Sequence, residues 1–182
     1  MNTRQHSLDA RSPLVLEVHE LGRRAGTMKK VTRTVPAPQG LGLEMIGVPA
    51  GSDVDLELRL ESVVEGVYVS GTAEVELAGE CARCLRPIED DLELDLQELF
   101  FYPDDDIEED AHLVVDERVD LEPLIRDAVV LDLPFTPLCR EDCAGLCVLC
   151  GANLNDDPDH GHEDRIDPRW GKLLDLAEDA EN

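Results

Sequence analysis

Six cysteines carry most of the chemistry that this chain of 182 residues could perform, and they fall in two groups. The first is Cys81-Ala82-Arg83-Cys84; the second is Cys139-x3-Cys143-x3-Cys147-x2-Cys150-Gly151. Two residues between a pair of cysteines let a tight turn present both sulfurs to one ion. The second group concentrates enough soft donors in a short stretch for a tetrahedral thiolate site. Zinc suits such a set, because it accepts four soft ligands and brings no redox chemistry of its own. Gly145 and Gly151 supply the backbone freedom that tight ligand turns need. Two ligand sets are open. Cys139, Cys143, Cys147 and Cys150 form a self-contained site, preferred because it assumes no tertiary contact. Alternatively, Cys81 and Cys84 join Cys147 and Cys150, which would staple the middle of the chain to its C-terminal part. With four sulfur ligands no coordination position is left for water, so either set makes the ion structural rather than catalytic.

Other chemistries find less support. A redox-active pair sits at a strand-to-helix junction that lowers a thiol pKa, whereas Cys81 and Cys84 lie between β-like segments with Pro87 soon after. The spacing matches neither usual ferredoxin pattern. His160 and His162 stand among Asp157, Asp159, Glu163 and Asp164 and read as part of a polar tail; His112 lies in the acidic loop, and His6 and His19 are isolated. No Ser, His and acid grouping points to nucleophilic catalysis. Gly40-Leu41-Gly42 lacks the rest of a dinucleotide fingerprint, and a phosphate-loop Gly-Lys-Ser/Thr is missing. The expectation is a protein that is not an enzyme.

Charge narrows the partners. Forty-two acidic residues against sixteen basic ones give a formal net charge of -26. A nucleic-acid binder needs clustered Lys and Arg, and the long-range field here has the opposite sign. Arg23, Arg24, Lys29, Lys30 and Arg33 gather near the start and read as a solvated face or arm. A basic protein is the expected partner, with neither DNA nor a membrane. No stretch reaches the roughly 18 to 20 apolar residues of a membrane helix, and Met1 to Ser12 lacks the apolar run of a signal peptide. The expected location is therefore the cytoplasm, where cysteines read as thiols or metal ligands before disulfides.

The elements that must position the cysteines are mostly strands. Val54, Leu56, Leu58 and Leu60 alternate with Asp55, Glu57, Arg59 and Glu61, a period of two that turns one face inward. Leu14 to Leu21 and Val31 to Val35 read as short strands, and Val63 to Val69 as another, with Gly66 at a turn or bulge. Ala73, Val75 and Leu77 alternate with Glu74 and Glu76, and Ile88, Leu92, Leu94 and Leu96 lead on to Phe101. Many of the acidic residues are then simply the wet face of an antiparallel sheet. After Asp120, the spacing of Leu121, Leu124, Ile125, Ala128 and Val129 predicts a helix capped by Asp120, with Pro123 in its first turn and Pro134 beyond its end. The predicted fold class is α+β: a predominantly antiparallel sheet or partly closed barrel, one packing helix, and a C-terminal cysteine-rich metal-binding segment. Residues 1–13 read as a flexible arm, 14–155 as one domain including the cysteine-rich segment 138–155, and 156–182 as an acidic tail with a short helix from Trp170 to Ala177. Pro103 to Asp110 reads as an exposed acidic loop.

The cysteines and their neighbours also resemble a known family. Cys81-Ala82-Arg83-Cys84-Leu85, Leu138-Cys139, Cys143-Ala144-Gly145-Leu146-Cys147, Cys150-Gly151 and Asn153-Leu154-Asn155 are similar to the bacterial YceD family of large ribosomal RNA subunit accumulation proteins, in a cysteine-rich branch. The resemblance runs from about Leu14 to Leu154. It implies a role in accumulation of large-subunit (23S) ribosomal RNA and hence in ribosome assembly, without catalytic residues. Combined with the acidic charge, it implies a basic ribosomal protein or large-subunit assembly factor as partner, with contact to ribosomal RNA only indirect. The main alternative is a zinc-stabilised acidic adaptor unrelated to ribosomes.

Overall fold

The computed structural model describes residues 8, 11–103 and 111–162. Eight strands and one helix follow in the order β1 (Val15–Glu17), β2 (Met28–Pro36), β3 (Leu41–Gly42), β4 (Ile46–Val48), β5 (Asp53–Ser62), β6 (Gly66–Glu80), β7 (Pro87–Phe101), β8 (Arg118–Asp120) and α1 (Glu122–Asp132). A short 3-10 turn, His19–Leu21, follows β1 where the sequence suggested a continuing strand.

β6 organises the main sheet. Along its whole length it pairs antiparallel with β7, from Gly66↔Phe101 to Glu80↔Pro87. On its other edge β5 covers Val67 to Val75, and β4 takes over at Ala78 and Gly79. β2 then pairs with β5, and β3 with β4. Gly79 has no side chain for a physical reason: a Cβ there would lie 2.5 Å from the Met45 carbonyl oxygen and 2.8 Å from Ile46 Cα. The segments expected separately at 63–69 and 73–78 are thus one strand, and Gly66 ends the preceding turn, where Val63 N–H donates to its carbonyl at 2.9 Å.

The sheet is not closed into a barrel. β2 and β7 occupy its two far edges and do not pair with each other. Its inner face is instead covered by α1 and by the small β1–β8 sheet. The register puts Val54, Val75 and Leu92 in one row and Leu56, Ala73 and Leu94 in the next. Leu56, Leu60, Val69, Ala73 and Leu96 are fully buried there against Leu14, Val119, Leu121, Ile125 and Val129. α1 forms where its apolar spacing predicts it. Asp120 lies just ahead of the helix and accepts a hydrogen bond from Glu122 N–H at 3.0 Å, and Arg126 ties the helix to the β3 side through the Gln39 and Gly40 carbonyls.

The alternation that buries one face leaves the other acidic. Asp55, Glu74 and Glu93 form one cross-strand row, and Glu76 stands opposite Asp91. All five are exposed. Among the described residues no helix is long and apolar enough to cross a membrane. The acidic loop after Pro103, the N-terminal arm and the Trp170 to Ala177 helix fall almost wholly outside the described residues.

Candidate metal centre

The β6–β7 hairpin ends in a six-residue connection, 81–86, which holds Cys81 and Cys84. Leu85 N–H donates to the Cys81 carbonyl at 2.9 Å, and Cys81 N–H to the Arg86 carbonyl at 2.8 Å. Leu85 takes a left-handed φ of 59° to close this turn. Both sulfurs therefore emerge on one side of a knuckle anchored to the longest strand pair in the sheet.

The chain after α1 returns to this knuckle. Ala82 N–H donates to the Pro137 carbonyl at 2.8 Å, and Arg83 Nη1 donates to the Cys143 carbonyl at 2.9 Å. Gly145 makes the next turn at φ 78°, so close to the knuckle that a Cβ would sit 3.1 Å from the Arg83 carbonyl oxygen. These contacts bring Cys139 and Cys143 onto the first pair. Cys81 and Cys143 sulfurs are 3.8 Å apart, and Cys84 and Cys139 sulfurs 3.6 Å. All four lie within 4.8 Å of one another. Four sulfurs about 2.3 Å from a tetrahedral ion would be separated by about 3.8 Å, so the cage fits a metal of zinc's size. It is also dry: Cys81, Cys84 and Cys143 are 0%, 4% and 3% exposed, backed by Ile88, Leu138 and Leu146.

The electrostatics suit a cation. Burial pushes the Cys81 thiol up, but the backbone N–H groups of Cys139, Arg83 and Cys84 and the Cys84 side chain together bring it down to about 6. Burial likewise raises Cys143, and the Asn155 side chain and Gly145 N–H outweigh it, so its pKa falls below the ordinary thiol value. Cys139 moves the other way. Burial of its sulfur, then its hydrogen bonds to Cys84, Cys143 and Cys81, push it up to about 12, although the residue as a whole is exposed. Clustered thiolates repel one another without a positive charge among them, and a bound cation would relieve that repulsion. Asn155 supports the cage from outside. Its Nδ2 donates to Cys143 Sγ at 3.4 Å, while its Oδ1 accepts from Ala144 N–H at 2.8 Å.

Neither ligand set drawn from the sequence is the one the fold assembles. Cys147 and Cys150 stand apart from the four-sulfur cage, because the Gly145 turn and the Leu146–Asn153 bridge fold the chain back on itself. They meet His160 and His162 instead. The Cys147 sulfur is 3.2 Å from His162 Nε2, and the Cys150 sulfur 3.2 Å from His160 Nε2. The histidines read as tail thus belong to a second cluster. Sequence spacing held a signal for them: Cys-x2-Cys followed by His-x-His about ten residues later is a set of four soft donors. Their acidic neighbours hid it.

The profile of the family described as large ribosomal RNA subunit accumulation protein YceD matches residues 69–177, more than half of the chain and both cysteine groups. The chain belongs to the YceD family. A Mycobacterium tuberculosis protein described as uncharacterised is 47% identical over 182 residues, covering 95% of this chain and 87% of its own length. A Mycobacterium leprae protein is 44% identical over 182 residues, covering 97% of this chain and 82% of its own. The chloroplastic YCED homolog 1 of Zea mays, named as a large ribosomal RNA subunit accumulation protein, is 26% identical over 157 residues, which are 80% of this chain and 47% of the plant protein. No solved structure matches this YceD chain significantly.

Proposed function

We propose that this YceD protein is a non-enzymatic factor that supports assembly of the large ribosomal subunit and accumulation of its RNA, acting through an acidic protein-binding surface on a scaffold stapled by structural zinc. Family membership carries the ribosomal part of the reading, through the family's own description and the name of the maize relative. Zinc is the reading that best suits four sulfurs at these separations: it takes four thiolates tetrahedrally and leaves no position for a substrate. The ion would fasten Cys139 and Cys143 to the end of the β6–β7 hairpin and contribute folding free energy to a segment too short to fold alone.

The acidic face supports the partner class. The row Asp55, Glu74 and Glu93, with Glu76 beside Asp91, aligns like charges across three strands. Such rows repel within the sheet and gain when a cationic partner covers them. The ion pairs found among the described residues engage other carboxylates. A basic ribosomal protein or assembly factor would be steered onto this face quickly and selectively, whereas an RNA phosphate backbone would be repelled. Contact with ribosomal RNA is then indirect, through that partner.

Depletion in the native organism, followed by sedimentation of ribosomal particles and mapping of large-subunit RNA ends, tests this reading. A selective loss of large subunits with accumulating precursors is expected. Re-supplying the wild type should restore the particles, and re-supplying an Asp55→Asn, Glu74→Gln, Glu93→Gln variant should restore them poorly. Unchanged subunit ratios would sink the ribosomal role, and full rescue by the neutralised variant would sink the acidic-face mechanism.

A further inference from the structure

Beyond that reading, and resting on it only for the ion in the four-sulfur cage, we propose that the chain holds two metal ions, the second bound by Cys147, Cys150, His160 and His162. The two cysteine pairs share one backbone design. In the second, Gly151 N–H donates to the Cys147 carbonyl at 2.8 Å, and Cys147 N–H to the Ala152 carbonyl at 2.7 Å. These are the same positions, four residues on to the first cysteine and first cysteine to five residues on, that close the Cys81–Cys84 turn. The residue after the second cysteine is left-handed in both, Leu85 at φ 59° and Gly151 at φ 76°. A turn that presents two sulfurs to one ion is therefore built twice.

The remaining donors complete a tetrahedron. Besides the two sulfur–nitrogen contacts of 3.2 Å, His160 Nε2 and His162 Nε2 are 3.0 Å apart, and the four ligand atoms lie within 4.8 Å of one another. Around a tetrahedral zinc, sulfur–nitrogen separations are about 3.5 Å and nitrogen–nitrogen separations about 3.3 Å. The observed cluster is close to this and slightly tighter. Hydrogen bonds alone fit it poorly. Each Nε2 offers one in-plane N–H or one lone pair, yet meets both a sulfur and the other Nε2. His160 Nδ1 lies 3.6 Å from the Asp157 carboxylate, the arrangement in which a carboxylate outside the ligand set orients a ligating histidine and leaves Nε2 free as the donor atom. One cation in the middle satisfies all four groups at once.

The second cluster is also independent of the first. No cysteine is shared between the two, and the second lies at the surface: Cys150 is exposed, Cys147 half-buried. The full chain, stripped of metal under reducing conditions and titrated with zinc alone, should bind two ions when counted by native mass spectrometry. A His160→Ala, His162→Ala variant, altered only outside the four-sulfur cage, should bind one and keep the four-sulfur cobalt spectrum on substitution with that metal. Wild-type protein saturating at one ion would overturn the proposal. So would two ions in the double variant, or none, since the first would mean other ligands and the second a single joint site.

Discussion

Two knuckles of the same backbone design meet two different fates in this molecule. The Cys81–Cys84 turn stands at the end of a fifteen-residue strand pair, Gly66–Glu80 against Pro87–Phe101. Its partners Cys139 and Cys143 arrive from a distant part of the chain and are sealed under Ile88, Leu138 and Leu146. The Cys147–Cys150 turn stands on a short loop, draws its partners from ten to fifteen residues downstream, and leaves Val148 97% exposed at its tip. Ligand turns are thus interchangeable while their settings are not. An ion in the first cluster would crosslink the sheet to the segment that follows α1, whereas one in the second would close a local loop. An ion that bridges distant segments stabilises the whole fold, and an ion that closes a short loop stabilises that loop.

The largest effect should come from breaking that asymmetry one ligand at a time. Cys81→Ser removes a fully buried ligand and leaves three clustered sulfurs without their ion. It should cost on the order of 4–5 kcal/mol of global stability, expose residues 138–162 to limited proteolysis, and lower the amide protection of the strand pairs by the same free energy. Cys150→Ser should open only residues 146–162 and lower global stability by about 1 kcal/mol or less. Denaturant unfolding, with protease mapping of both variants, checks this. Equal losses would mean that burial and chain span do not separate the clusters.

The same asymmetry sets what could be read from sequence. The sheet was legible, because Val54 to Glu61 and Leu92 to Leu96 alternate strictly and each needs only its own pattern to find its face. The helix was legible from Leu121, Leu124, Ile125 and Val129 with Asp120 before them. That the cysteines gather into sets able to ligate a metal was also legible, since two-residue spacings and closely placed sulfurs point to such sets. The partition was not. Nothing local says that Cys139 and Cys143 pair with a turn 55 or 62 residues earlier; that follows from where β6 ends and α1 returns. His160 and His162 failed for the opposite reason. Their partners are close in sequence, but the acidic neighbours Asp157, Asp159, Glu163 and Asp164 give that stretch the composition of a tail. The barrel alternative failed because periodicity fixes faces and not which edges meet.

An intermediate effect should come from outside the ligand set. Asn155 donates to Cys143 Sγ and accepts from Ala144 N–H and Arg140. Asn155→Ala leaves all four sulfurs in place but removes the hydrogen bonds that hold Cys143 as an aligned thiolate. Such supporting groups are worth about 10–100-fold in metal affinity. Competition with a chromophoric chelator should show the tighter ion weakened by that factor and the other unchanged. An unaltered affinity would mean that burial alone orients Cys143.

The smallest effect probes the residue that closes each turn. The left-handed residue that closes them is Gly151 in one and Leu85 in the other. A side chain at positive φ costs about 1–2 kcal/mol, and Leu85 recovers little by burial, being 56% exposed. Leu85→Gly relieves that strain and pays about 0.5–1 kcal/mol for the freer unfolded chain. The net should be a gain of about 0–1.5 kcal/mol, seen as a small rise in the denaturation midpoint with both ions retained. The mirror change, Gly151→Leu, should lose about the same amount, and only from residues 146–162, because no atom lies within 4 Å of the Cβ it would add and the cost is backbone strain alone. A fall in stability for Leu85→Gly would show instead that the leucine side chain screens the buried sulfurs from water, which would make the two turns unlike in function as well as in sequence.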